Sequence, residues 1–299
     1  MDSFLTAKAS TNGRECLFPV RDYDLAASLN SGQSFRWNGH RDGWTGVVGD
    51  RWIRLERTAE GIRAITCIPQ KDWNWLAEYL QTEADLDSIL ATFPDDEPLR
   101  RAVSDCRGLR LLKLDAWECL ASFILSSSKQ IVQIRQIVTT LCERYGEPVA
   151  TALGEPKAYA FPTPARLSSL KEADLRSCKM GFRAPYLLAT ARKVADGECN
   201  LDYLRALPVD QARAELVRLP GVGDKIANCV LLYAYGFPTA FPLDVWVIRA
   251  LQTLYFKGRK KSVTSLKDFS SRHFGPYSGY AQQYLFHWIR TRSRKPASP

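Results

Sequence analysis

The stretch Leu219-Pro220-Gly221-Val222-Gly223-Asp224-Lys225 has the composition of a tight turn between two helices. An apolar pattern at helical spacing, Ala212 to Leu219, runs into it, and a second, Ile226 to Tyr235, leaves it. Gly236 is placed to end the second helix. Two helices joined through Gly-x-Gly expose backbone N–H groups at a helix N-terminus, which accept a phosphate without any side-chain charge. Taken alone, the string also fits a plain helix corner whose glycines serve close packing. Lys225 falls in the first turn of the second helix. The positive field there disfavours an ammonium and favours the neutral amine, which is the nucleophilic form. A solvated lysine at a helix start is the ordinary alternative. Asp244 shifts the balance. It lies 19 residues on, in Phe241-Pro242-Leu243-Asp244-Val245, beyond a second breaker at Pro238. An Asp ahead of a helical run is an N-cap candidate, and a capping carboxylate is held in place to face a positive charge.

Outward from this turn, the chain divides by pattern. From about Pro98 the apolar residues keep helical spacing, in Ala116 to Leu125, Ile131 to Leu141, Leu187 to Val194 and Ala212 to Leu219. Connectors such as Phe161-Pro162-Thr163-Pro164 punctuate them, and the strand signal is gone. The first third differs. A short helical pattern, Tyr23 to Leu29, is followed by strand-like runs at Ser34 to Trp37, Trp44 to Val48, Trp52 to Arg57 and Ile62 to Cys67. Asn38-Gly39, Asp42-Gly43, Gly49-Asp50 and Glu60-Gly61 separate them with turn chemistry. The runs predict an antiparallel meander, followed by a helix from about Lys71 to Leu80. The expected architecture is α+β: an N-terminal antiparallel-sheet domain over residues 1–105 and a helical domain over 106–295, with the active site between them. The end, Arg290 to Pro299, reads as a frayed basic tail.

Composition narrows the class. Of 299 residues, 45% are apolar, so the chain is expected to be globular. A formal charge of +9 suits a polyanionic partner but does not identify one. The start, Met1 to Leu5, lacks the pattern of a signal peptide, and no run approaches the roughly 20 apolar residues of a membrane span. A soluble, intracellular protein is expected. The eight cysteines show no C-x-x-C spacing, so most read as small buried apolar residues in a reducing compartment. The three histidines are dispersed, and nothing local suggests a zinc site or a serine triad.

Hairpin, lysine and downstream Pro-x-Asp-Val together resemble the helix-hairpin-helix DNA glycosylase superfamily, and within it the 8-oxoguanine DNA glycosylase branch. Four further segments carry the resemblance, in the family's order. Ser31-Gly32-Gln33-Ser34-Phe35-Arg36-Trp37 resembles the base-recognition loop, and Phe123-Ile124-Leu125-Ser126-Ser127 the helix entering the opposite-base site. Gly181-Phe182-Arg183-Ala184 resembles the intercalating loop. Gly279-Tyr280-Ala281-Gln282-Gln283-Tyr284-Leu285-Phe286 resembles the pocket helix near the C-terminus.

The resemblance implies a repair enzyme that flips 8-oxoguanine out of duplex DNA, excises it through a lysine Schiff base and cleaves the strand by β-elimination. It implies that Lys225 attacks the sugar C1′ and that Asp244 stabilises the cationic sugar. Gly32 would offer its carbonyl to the N7 hydrogen that 8-oxoguanine has and guanine lacks. Phe286 and Cys229 would sandwich the base, and Gln282 would bond its Watson–Crick edge. Phe182 would fill the vacated stack, and Arg183 would bond the orphaned cytosine. Backbone groups of Gly221 and Gly223 would meet phosphate. No cofactor is required, although carbonyls of Val217, Leu219 and Val222 would hold a structural monovalent cation. The implied partner is double-stranded DNA containing 8-oxoguanine, bound by a monomer acting on chromosomal DNA, with no membrane.

The chain departs from the pattern in two places. Ser128-Lys129-Gln130 replaces an Asn-rich run, and Gln133 stands where relatives carry an Arg, which implies relaxed preference for cytosine. Trp246 occupies a position that is often His. No cysteine follows Cys229, which excludes the superfamily's iron–sulfur branch. Alkylated-base glycosylases generally lack the hairpin lysine, so Lys225 argues against that alternative. The competing class is a non-enzymatic DNA-binding protein that uses the hairpin only for phosphate contact; borohydride trapping separates the two.

Overall fold

The computed structural model describes residues 7–126 and 129–292. Ser127 and Ser128, in the expected opposite-base segment, and residues 293–299 of the expected tail lie outside them.

The N-terminal part is one six-stranded sheet. Its strands are β1 (Lys8–Ala9), β2 (Glu15–Phe18), β3 (Asn38–His40), β4 (Gly43–Val48), β5 (Arg51–Arg57) and β6 (Ile62–Ile65), with α1 (Leu25–Asn30) between β2 and β3. The order is β1-β2-β6-β5-β4-β3, and every neighbouring pair is antiparallel. The meander was expected from β4 to β6; β1 and β2 were not. Ser34 to Trp37 is not a strand, and Asn38-Gly39 is not a turn but part of β3. The reason is side-chain anchoring. The buried Gln33 amide donates to the Ser28 and Arg110 carbonyls at 2.8 Å and accepts from Leu112 N–H at 2.8 Å. Trp37 is fully buried, donates to Tyr79 Oη at 2.8 Å and lies against Gly46, where a Cβ would come within 2.6 Å of its ring. The segment gains its apolar burial without a hydrogen-bonded ladder.

Helices follow: α2 (Asn74–Leu80), α3 (Leu86–Ala91), α4 (Glu97–Asp105), α5 (Ala116–Leu125) and α6 (Ile131–Tyr145). Next comes a two-stranded ribbon, β7 (Pro148–Val149) with β8 (Ala158–Tyr159), in a region expected to be mostly helical. Two-residue strands carry too little alternation to be seen in a sequence. The remainder is α7 (Pro164–Ser168), α8 (Glu172–Arg176), α9 (Ala184–Ala195), α10 (Val209–Val217), α11 (Asp224–Val230), α12 (Val245–Tyr255), α13 (Val263–His273) and α14 (Ser278–Arg292). Among the described residues, no helix is long and apolar enough to cross a membrane.

Two helices organise the core. In α5, capped by Asp115, residues from Trp117 to Leu125 are buried apart from the partly exposed Glu118. A ten-residue helix is marginal alone, so packing rather than propensity holds it. The second is α14, which runs beneath the N-terminal loops. Tyr284 is fully buried and donates to the Leu109 carbonyl at 3.1 Å, and Trp288 Nε1 donates to Asp105 at 2.7 Å. Gln283 Nε2 reaches the Ser31 carbonyl at 3.3 Å. These bonds fix the Ser31-Gly32-Gln33 loop against α14, and so bring residues from both ends of the chain to one place.

Candidate active site

A cavity of about 350 Å³ opens where the Gly32 loop, the end of α5, α11, the start of α12 and α14 meet. That volume is at the lower end for a pocket taking one small ring system. Lys225, Asp244, Gly32, Cys229, Gln282 and Phe286 all line it. They come from positions 32 to 286, so their convergence is a property of the fold alone.

The hairpin places the lysine. Gly221 has φ +77°, and a Cβ there would lie 2.6 Å from Tyr186 Cβ, so α9 sits directly against the turn. Thr190 Oγ1 ties α9 to the Pro220 carbonyl at 2.9 Å. Gly223 is the extended N-cap of α11, with open space on its Cα. Lys225 follows in the first turn, partly buried. Its Nζ donates to Ser126 Oγ at 3.0 Å and stands 5.0 Å from the centre of the Phe123 ring. Phe123 is itself stacked on Tyr233 at 5.5 Å. The aromatic floor and the serine hold the amine at the cavity.

Asp244 caps α12 as its sequence position suggested, accepting from Val247 N–H at 2.8 Å. Burial raises its carboxyl above the ordinary range; the Val247 N–H, the Lys225 charge, the Trp246 N–H and the Arg290 charge pull the other way. Cys229 is buried, and desolvation pushes its thiol up to about 11, with Lys225 opposing. It is therefore a neutral thiol that presents a small soft surface to the cavity. Gln282 is 2% exposed, and its Oε1 has no hydrogen-bond partner among the described residues. A buried amide oxygen without a donor costs about 1–3 kcal/mol, which a donor on a ligand would recover.

Gly32 has φ +86°, and a Cβ there would come within 2.7 Å of Ile131 Cδ1 and 3.4 Å of Phe286 Cε1. Space and conformation both favour glycine. The Gly181–Arg183 segment is a short 3₁₀ turn leading into α9. Phe182 is 55% exposed there, and the Arg183 guanidinium lies over Phe182 at 4.7 Å and near Tyr186 at 5.7 Å. An exposed aromatic backed by a stacked arginine has the shape of a wedge.

Comparison with known proteins agrees in both halves of the chain. Residues 16–120 match the family described as 8-oxoguanine DNA glycosylase, N-terminal domain. Residues 121–272 match the HhH-GPD superfamily base excision DNA repair protein family. The chain belongs to the 8-oxoguanine DNA glycosylase branch of the HhH-GPD superfamily. It is 30% identical to the probable N-glycosylase/DNA lyase of Methanothermobacter thermautotrophicus, over 91% of this chain and 95% of that one. It is 28% identical to an N-glycosylase/DNA lyase of Arabidopsis thaliana, over 94% of this chain and 82% of that one. The 8-oxoguanine glycosylase/lyase of Clostridium acetobutylicum, solved with duplex DNA containing cytosine opposite 8-oxoguanine, superposes with a TM-score of 0.89. It is 29% identical, and 98% of this chain and 100% of that one are covered.

Within this glycosylase framework, several further positions stand out. Gln133 does not line the cavity; it is exposed and accepts Gln130 N–H at 2.9 Å, so it closes the first turn of α6. Ser126 and Phe123, assigned by resemblance to the opposite-base side, also stand beside Lys225. Phe123 reads as ordinary core in an apolar helix, so no sequence signal singles it out. Lys129 and Trp246, which stand at departures from the family pattern, both line the cavity, and Trp246 lies under the Arg249 guanidinium at 5.2 Å. Arg290, placed in the expected frayed tail, is instead buried in α14 and lines the cavity too.

Proposed function

We propose that this glycosylase flips 8-oxoguanine from duplex DNA, excises it through Lys225 and cleaves the strand at the resulting site. One observation carries the proposal: a lysine amine and a buried carboxylate share a ring-sized cavity. The target atom is inside the helix, so the nucleotide must be turned out to reach it. Lys225 Nζ then attacks C1′ as the free amine, the C1′–N9 bond breaks, and the electron pair leaves with the base. Asp244 faces the positive charge that develops on the sugar. Loss of the amine proton and ring opening give the Schiff base, from which β-elimination breaks the bond to the 3′ phosphate.

Recognition follows from the same cavity. Gly32 offers its carbonyl to the N7 hydrogen; guanine presents a lone pair there and is repelled. Cys229 and Phe286 give the base two apolar faces, and Gln282 Oε1 accepts a hydrogen from its Watson–Crick edge. Phe182 fills the gap left in the stack, and Arg183, positioned over it, reads the orphaned base. Backbone N–H groups at Gly221 and Gly223 take phosphate on the open side of the turn. Carbonyls of Val217, Leu219 and Val222 would hold a monovalent cation and neutralise that phosphate. Among the described residues the Leu219 carbonyl accepts Val222 N–H, at 3.1 Å, and a carbonyl has two lone pairs.

The test is excision and strand cleavage on duplexes carrying 8-oxoguanine, 3-methyladenine, uracil or no lesion. Release of 8-oxoguanine with a nick at its site is expected. Release of 3-methyladenine in preference, or base loss with an intact strand, would contradict the proposal.

A further inference from the structure

Arg290 is 6% exposed and lines the base cavity from α14. Its Nη2 donates to the Asn30 carbonyl at 2.7 Å, two residues ahead of Gly32. Its Nη1 lies 3.6 Å from the point a Cβ on Gly32 would occupy. Its guanidinium carbon is 5.3 Å from the centre of the Phe286 ring. The charge therefore sits beside two groups that frame the base. Asn30 has a second support, since Arg135 Nη2 donates to its side chain at 2.7 Å. Holding the Gly32 loop thus does not need a charge at position 290.

Lys225, Lys129, Arg290 and Asp244 all line the cavity. The proposed reaction gives a fixed charge at this place a task. When C1′–N9 breaks, the bonding pair departs with the purine, which is an anion until it takes up a proton. A fixed cation in a water-poor cavity stabilises charge that develops beside it, with no reorganisation at that moment. An arginine keeps its proton throughout, so it acts as a charge and not as an acid.

We propose that Arg290 is an electrostatic participant in base excision, stabilising the purine anion that leaves C1′. The proposal rests on the base-excision function above. Single-turnover excision by wild type, Arg290→Gln and Arg290→Lys tests it, using duplexes with 8-oxoguanine, 8-oxohypoxanthine and 8-thioguanine ranked by the N9 acidity of the free base. Arg290→Gln should steepen the dependence of rate on leaving-group acidity, losing at least tenfold more on the least acidic base than on the most acidic. Arg290→Lys, with its charge displaced, should fall between. Thermal unfolding checks that both variants fold. If Arg290→Gln does not fold, Arg290→Lys decides alone: an intermediate slope supports the proposal and a wild-type slope overturns it. An equal loss on every base would reduce Arg290 to a support for the loop and overturn the proposal. Wild-type failure on all three bases would overturn the base-excision function itself, and this role with it.

Discussion

Gly32→Ala is the most informative change at the base-recognition loop. The residue sits at φ +86°, where an L side chain is strained by roughly 1–2 kcal/mol. The new methyl would stand 2.7 Å from Ile131 Cδ1, closer than real contacts allow. Ile131 presents the end of a side chain there, and turning it off its rotamer costs roughly 0.5–1.5 kcal/mol. Phe286 and Arg290, at 3.4 and 3.6 Å, are not forced to move. The variant should therefore fold, with a local penalty of roughly 2–3 kcal/mol that the loop relieves by shifting its carbonyl. If that carbonyl is what accepts the N7 hydrogen, excision of 8-oxoguanine falls by about 30- to 100-fold, at about 1.4 kcal/mol per decade. Guanine, repelled by the carbonyl in the native geometry, loses less or gains. The assay is single-turnover excision from duplexes with 8-oxoguanine or guanine at one position, beside thermal unfolding. An unchanged ratio between the two bases, with a lowered melting temperature, would show that Gly32 only turns the chain.

Asp244→Asn should excise at least 100-fold more slowly, the scale expected for losing a group aimed at developing charge. Its stability at pH 7 should not fall, because Asn still caps α12 and the native carboxyl, raised by burial, is penalised when charged; a melting temperature several degrees lower would refute that sign. Burial and the neighbouring Arg290 charge push His287 down to about 4 from an ordinary value of 6.5, and its Nδ1 is buried without a partner among the described residues. The unfolded chain thus binds this proton first, so stability is whole above pH 6.5 and declines through that window by roughly 3 kcal/mol at most. His287→Gln should flatten the decline in unfolding measured between pH 7 and 4, and an equal slope in both proteins would rule His287 out as its source. Gln133→Arg should raise the preference for excision opposite cytosine over adenine by about tenfold, since a bidentate reader contributes roughly 1–3 kcal/mol; a wild type already as strict would point to another residue, with Lys129 the first to examine.

Legibility in the sequence followed periodicity. Helix α5 matched its apolar pattern end to end because it is buried on nearly every side, and the β4–β6 meander matched because Gly and Asp mark its turns locally. Ser34 to Trp37 was misread because Phe35 and Trp37 are buried by long-range anchors, Gln33 and Tyr79, which leave no local trace. Lys225 and Asp244 were legible because turn and cap chemistry is local. Cys229, Gln282 and Phe286 emerged only through resemblance, since each alone reads as core. Arg290 was lost to composition: its basic surroundings suggest a solvated tail, whereas α14 carries it inside to Asn30 and Phe286. Gln133 was legible only through resemblance. It stood out only through the Arg it replaces, and its carbonyl oxygen accepts Gln130 N–H in the first turn of α6.

The central claim is that Lys225 Nζ becomes bonded to the sugar. Borohydride reduction during turnover on an 8-oxoguanine duplex, followed by proteolysis and mass spectrometry of the cross-linked peptide, tests it directly. The account predicts one adduct, on Lys225, in wild type, and none in Lys225→Gln, which should still bind the duplex through backbone contacts to phosphate. An adduct on any other residue, or normal trapping by Lys225→Gln, would contradict it.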